Sequence, residues 1–147
     1  MIYSHKCTEY ALNHQNGTIM SYVILITSLL LIQYTFFSMR AGLARGKADI
    51  KAPAINGDED FERKLRVQIN TLEQLIITLP AMWVCAVYFR SDIAAALGTT
   101  FFIGRALYSA AYISNPASRA PGMIIGFLAN LALIGCCLVI ALKGIIP

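Results

Sequence analysis

The sequence predicts an all-α fold, an integral membrane bundle of four transmembrane helices. Two observations predict it. Hydrophobic residues make up 57% of the 147-residue chain and charged residues 14%, against about 25% charged in soluble domains. Four apolar stretches, at about 18–39, 63–89, 93–113 and 121–146, each come close to or exceed the roughly 20 residues that cross a hydrocarbon core. The length fits one domain, a membrane domain over 18–147 after a polar N-terminal tail over 1–17.

The tail has no apolar run before a cleavage site, so it is not a secretory signal. Met20 is an alternative start, because the first span opens beside it. That span, Thr18–Met39, carries no charge and only Gln33 as a strongly polar side chain. Arg40, Arg45, Lys47 and Lys51 follow and read as the first loop, which ends in the turn-forming Pro53 and Gly57. Asp58, Glu59, Asp60 and Glu62 open the second helix, where acidic groups suit the positive end of its dipole.

The second helix runs to about Phe89 with Pro80 inside it, a placement that kinks membrane helices without ending them. Arg90-Ser91-Asp92 is a tight turn. The third span, Ile93–Ile113, holds one charge, Arg105. Ser114-Asn115-Pro116 breaks that helix, and Arg119-Ala120-Pro121 opens the fourth, with Pro121 where a missing N–H costs nothing. Most Lys and Arg residues fall between spans one and two or beside the connection between spans three and four. By the positive-inside rule these connections are cytoplasmic and both termini lie across the membrane.

The net charge of +4 therefore reads as topology. No basic patch is interleaved with aromatics, which argues against nucleic acid. Cys7, Cys85, Cys136 and Cys137 form no C-x-x-C pair. They read as structural thiols, and no metal site is expected.

Chemistry concentrates at the cytoplasmic end. Arg63, Arg66, Asn70 and Glu73 stand at i, i+3, i+7 and i+10, within roughly an 80° arc of one helix face. Arg105, Tyr108 and Tyr112 share an arc of roughly 60° on the third helix. Arg45 from the first span and Arg119 from the fourth converge on the same end. Such a pocket suits a ligand with carboxylates and an ammonium: arginines clamp carboxylates in pairs of hydrogen bonds, and Glu73 holds the cation. The plainer alternative is that the arginines snorkel at the interface, with an Arg66–Glu73 pair within the helix. Gln68 points away from this face, either into a second pocket shared with a neighbouring subunit or into a helix–helix hydrogen bond.

The stretch FERKLRVQINTLEQ resembles the helix-two signature of the MAPEG family, the membrane-associated proteins in eicosanoid and glutathione metabolism. Its E-R-x-x-R-x-x-x-N-x-x-E core is met by Glu62, Arg63, Arg66, Asn70 and Glu73. The likeness runs on through Trp83, Arg105, Tyr108, Tyr112 and Arg119-Ala120-Pro121, in the manner of leukotriene C synthase and its bacterial relatives. It implies a homotrimer and a membrane glutathione transferase, with glutathione as co-substrate. The second substrate would be a lipophilic electrophile or a lipid hydroperoxide. Carried over by position, Arg66, Asn70, Glu73, Tyr108 and Tyr112 would hold glutathione from one subunit, with Arg63, Gln74 and Arg105 in support. Arg45 and Gln68 would reach it from the next. Arg119 would be the catalytic arginine that stabilises the thiolate.

The implied location is the bacterial inner membrane, or the endoplasmic reticulum and outer nuclear membrane in a eukaryote, with the active site towards the cytoplasm. Where the family often has Tyr and then Pro after the glutamate, this chain has Gln74 and Ile76, and its proline comes later as Pro80. An Arg-Arg pair at the end of span one is here Arg45-Gly46. The alternative within the same fold is a non-catalytic lipid-binding or scaffold protein. The five-lipoxygenase-activating member has no arginine at the position of Arg119, so Arg119 favours catalysis. A small transporter is the third reading, and the chain shows no inverted-repeat halves to support it.

Overall fold

The computed structural model describes the backbone of residues 2–146 and the side chains from Met20 onward. The described residues form four long helices: α1 (Ile2–Lys47), α2 (Glu59–Tyr88), α3 (Ser91–Ser114) and α4 (Ala120–Ile145). A four-residue 3-10 turn, Pro116–Arg119, leads into α4. All four are long and apolar enough to cross a membrane, and the protein is an integral membrane four-helix bundle. The side chains of the expected N-terminal tail lie outside the described residues.

Helix boundaries follow local chemistry. Asp58 caps α2, its carboxylate accepting from the Phe61 N–H at 2.8 Å, and Glu59, Asp60 and Glu62 fill the first turn. Arg63 and Lys64 pair with Glu59 and Asp60 one turn back. Pro80 lies within α2 and the helix continues through it to Tyr88. Arg90 turns the chain into α3 and pairs with Asp92, whose carboxylate raises the guanidinium's pKa. Asn115 caps the 3-10 turn by accepting from the Ala117 N–H at 3.1 Å.

One boundary departs from the sequence reading. Arg40, Arg45 and Lys47 were expected in a loop, yet α1 continues about two turns past Met39 to Lys47. No proline interrupts this stretch, and Arg45 and Lys47 in the last turn suit the negative end of the helix dipole.

Helices α2 and α3 form the central pair. Each packs on the other and on both α1 and α4, whereas α1 and α4 flank them with no comparable contact of their own. The core is continuous through Val23, Leu30, Leu75, Met82, Phe101 and Leu133. Large apolar side chains such as Ile76, Ile103, Leu128 and Ile145 are exposed on the outside of the bundle, as suits a protein whose solvent is lipid. Since lipid is as apolar as leucine, close packing and polar contacts hold the helices together. Small residues supply the first: α3 and α4 meet backbone to backbone at Gly104 and Gly122.

Polar contacts supply the second. Buried Asn130 on α4 donates to the Gln74 amide oxygen at 3.0 Å and accepts from the Thr78 hydroxyl at 2.7 Å. Replacing Asn130 with leucine leaves the Gln74 oxygen without its donor. The expected cost is about 1–2 kcal/mol, read as a lower unfolding temperature in micelles. No shift would mean that Gln74 finds another partner.

Candidate functional site

The connections bring the C-terminal ends of α1 and α3 beside the N-terminal ends of α2 and α4, where the charged residues collect. Arg63 ties α2 to the end of α3, donating to the Ile113 carbonyl at 3.0 Å while also paired to Glu59. Arg66 is exposed. With Arg63, Glu62, Ile69 and Tyr112 it lines a surface cavity of about 400 Å³. One turn deeper, Arg105 donates to the Asn70 amide oxygen at 3.0 Å and to the Thr71 hydroxyl at 2.8 Å. The Asn70 amide nitrogen in turn donates to the Glu73 carboxylate at 3.2 Å. Tyr108 stacks beneath the Arg105 guanidinium, 4.1 Å from ring centre to Cζ, and its ring lies 5.4 Å from that of Tyr112.

Arg119 enters from the 3-10 turn. Its guanidinium donates to the Pro116 carbonyl at 2.9 Å and stands 5.9 Å from the Tyr112 ring. Among the described residues it makes no ion pair, so its charge is unneutralised and open to an anion. A second cavity, of about 240 Å³, lies between α2, α3 and α4 and is lined by Asn70, Gln74, Arg105, Met123 and Phe127. It joins amide and guanidinium groups at one wall to an apolar wall at the other.

Most of the sequence-predicted residues therefore meet. Arg63, Arg66, Asn70, Glu73, Gln74, Arg105, Tyr108, Tyr112 and Arg119 lie along the faces that α2, α3 and the start of α4 turn to one another. Arg45 and Gln68 do not join them. Arg45 donates to the Ala54 carbonyl at 2.7 Å and lies over the Phe61 ring at 4.7 Å. Gln68 donates to the Tyr34 hydroxyl on α1 at 2.8 Å. Both sit on the opposite side of α2.

The Arg66–Glu73 pair of the alternative reading is not formed, and Glu73 takes its hydrogen bond from Asn70. Arg105, given a supporting place by the resemblance, is 2% exposed and donates to both Asn70 and Thr71. Thr71, Thr78 and Asn130 were missed. Thr71, Gln74 and Thr78 stand at i, i+3 and i+7 on α2, and that spacing was the available signal for a polar stripe facing a partner helix.

Fold and cluster together define a multi-pass helical membrane protein with a basic, amide-lined site at one end of its bundle. The MAPEG family model matches residues 23–139, and this chain belongs to the MAPEG family. It is 43% identical over 110 residues to an uncharacterized protein of Synechocystis, covering 75% of this chain and 80% of that one. It is 34% identical over 105 residues to the human protein named microsomal glutathione S-transferase 2, covering 70% of this chain and 71% of the relative. The mouse protein of the same name is 34% identical over 113 residues, covering 77% and 74%.

Proposed function

We propose that this protein is a membrane glutathione transferase that binds glutathione at the cluster and presents it as a thiolate to lipophilic electrophiles. The observation that carries this reading is Arg119, an unpaired guanidinium beside Tyr112, in a chain whose relatives bear the transferase name. Arg66, Asn70, Glu73, Tyr108 and Tyr112 hold the peptide, with Arg66 on a carboxylate and Glu73 on the ammonium. Arg63 and Arg105 keep α2 and α3 in register beneath it. Gln74 borders the apolar end. Arg45 and Gln68, facing the other way, serve the site of the neighbouring subunit in a homotrimer.

The chemistry needs one electrostatic push. A free thiol has a pKa of about 8.5, so only a few per cent is ionised at neutral pH. A guanidinium at the sulfur favours the anion and lowers that pKa. The thiol proton passes to water, and the thiolate adds to the electrophilic carbon and forms a C–S bond. The departing group or opened ring oxygen takes a proton from water. With a lipid hydroperoxide, two glutathiones become the disulfide, and the peroxide becomes an alcohol and water. The Lys and Arg distribution supports a cytoplasmic site.

An ultraviolet difference titration with glutathione near neutral pH tests the reading without a second substrate. A saturable thiolate band is expected. Glutathione binding seen by calorimetry without that band would replace the transferase with a binding protein. Absence of both would remove glutathione.

A further inference from the structure

A groove of about 420 Å³ runs between α1 and α3, on the side of α1 away from Tyr34, and no residue of the cluster lines it. Its walls are apolar, with Leu29, Ile32, Phe36 and Ala106 among them. Three polar groups interrupt them. The Gln33 amide nitrogen donates to the Phe102 carbonyl at 3.1 Å, but its oxygen has no partner, on a residue that is 8% exposed. The Ser109 hydroxyl, on a residue that is 3% exposed, also has no partner. Arg40 lies over the Phe36 ring at 5.5 Å and makes no ion pair among the described residues.

The register of the two helices orders these groups. Alternating passes make α1 and α3 parallel, and the Gln33–Phe102 bond sets them level. Arg40 and Ser109 each lie seven residues further on, about 10 Å along the helix axis towards the basic end. The groove thus has a cation and a hydroxyl towards its mouth and a lone acceptor deeper in, on residues whose backbone levels differ by about 10 Å. A cation at the membrane boundary calls for an anionic head group. An amide oxygen without a donor in an apolar wall is costly, so it calls for a hydroxyl at that depth.

We propose that this groove binds a long-chain hydroxy fatty acid drawn from the bilayer. The carboxylate sits on Arg40 and accepts a hydrogen bond from the Ser109 hydroxyl, the chain lies along the groove, and a mid-chain hydroxyl donates to Gln33 Oε1. An extended chain advances about 1.2 Å per bond, so an offset of that order calls for a hydroxyl near the middle of an eighteen-carbon chain and not beside its carboxylate. Neither protein oxygen touches solvent, so the ligand reaches them by turning aside Ile32 and Phe36, which are 63% and 53% exposed at the rim.

The test is displacement of a spin-labelled octadecanoate from the full-length protein in phosphatidylcholine nanodiscs. 10-Hydroxyoctadecanoate is expected to displace it at about ten-fold lower concentration than octadecanoate. 3-Hydroxyoctadecanoate, with its hydroxyl beside the head group, gains nothing. Gln33→Met should erase the ten-fold preference, and Arg40→Gln should weaken both acids and keep it. Equal displacement by the two acids in the unaltered protein, or a preference that survives Gln33→Met, overturns the proposal. Should Gln33→Met fail to fold, Ile32→Trp fills the groove and leaves the Gln33–Phe102 bond in place. Undiminished displacement in that variant would put the ligand elsewhere.

Discussion

Arg119→Ala is expected to abolish the bound-thiolate band and to lower turnover about 10²–10³-fold, the usual cost of removing one preorganised charge stabiliser. Most glutathione affinity should survive, because the carboxylates and the ammonium have partners elsewhere. Stability should also survive. The Arg119 side chain is exposed, and its hydrogen bond is to Pro116, within its own 3-10 turn. The pH profile carries the sign of the effect. With Arg119 present, the thiol is expected to ionise below its free value of about 8.5, giving a rate that is already high near neutral pH. Without it, the rate climbs only as pH approaches the free value. Arg119→Lys keeps a charge but loses the planar fork, so an intermediate rate is expected. Unchanged turnover in Arg119→Ala would take this residue out of the mechanism.

Gly122→Ala is the second large effect, and it acts through the backbone. A β-carbon at this position would stand 2.7 Å from the Tyr108 Cα and 2.9 Å from the Gly104 carbonyl oxygen, and closer still to the Tyr108 amide nitrogen. These are main-chain atoms of α3, so no side chain can swing aside to make room. The two helices must separate, at a cost of about 1–3 kcal/mol or more. Tyr108 and Arg119 flank this seam, so glutathione affinity should fall along with the unfolding temperature. Gly135→Ala on the same helix is the control, because its β-carbon meets nothing within 4 Å. If the two alanine variants were equally stable, α3 and α4 would not be held by this glycine contact.

How far the site could be read in advance depended on whether a property was local. Asn70 and Glu73 share a face because of helical spacing alone, and their hydrogen bond follows from it. Arg105 reads in the sequence as a lone charge near a helix end that shares a face with Tyr108 and Tyr112. Its burial required knowing that Asn70 and Thr71 of α2 lie opposite it. Gln74 read as a departure from a family pattern, and its partner Asn130 is 56 residues away. The end of α1 is hidden in the sequence for a different reason. Charge after an apolar run marks the end of the hydrocarbon-compatible stretch, and a helix can continue beyond it, as α1 does to Lys47.

The sequence by itself determined the membrane class, the four crossings and the side-chain faces of α2 and α3. These depend on hydrocarbon thickness, on the need to satisfy each backbone group within its own segment, and on helical periodicity, all of which act along the chain. Only the tertiary structure decided that α2 and α3 form the central pair, that Arg105 is the buried hub, and that Arg45 and Gln68 face away from it. Those outcomes depend on which helix lies against which. Lipid solvates every apolar face almost equally, so hydropathy does not choose between neighbours. The choice falls to glycine contacts such as Gly104 with Gly122 and to polar pairs such as Gln74 with Asn130, whose partners lie far apart in the chain and meet only in the assembled bundle.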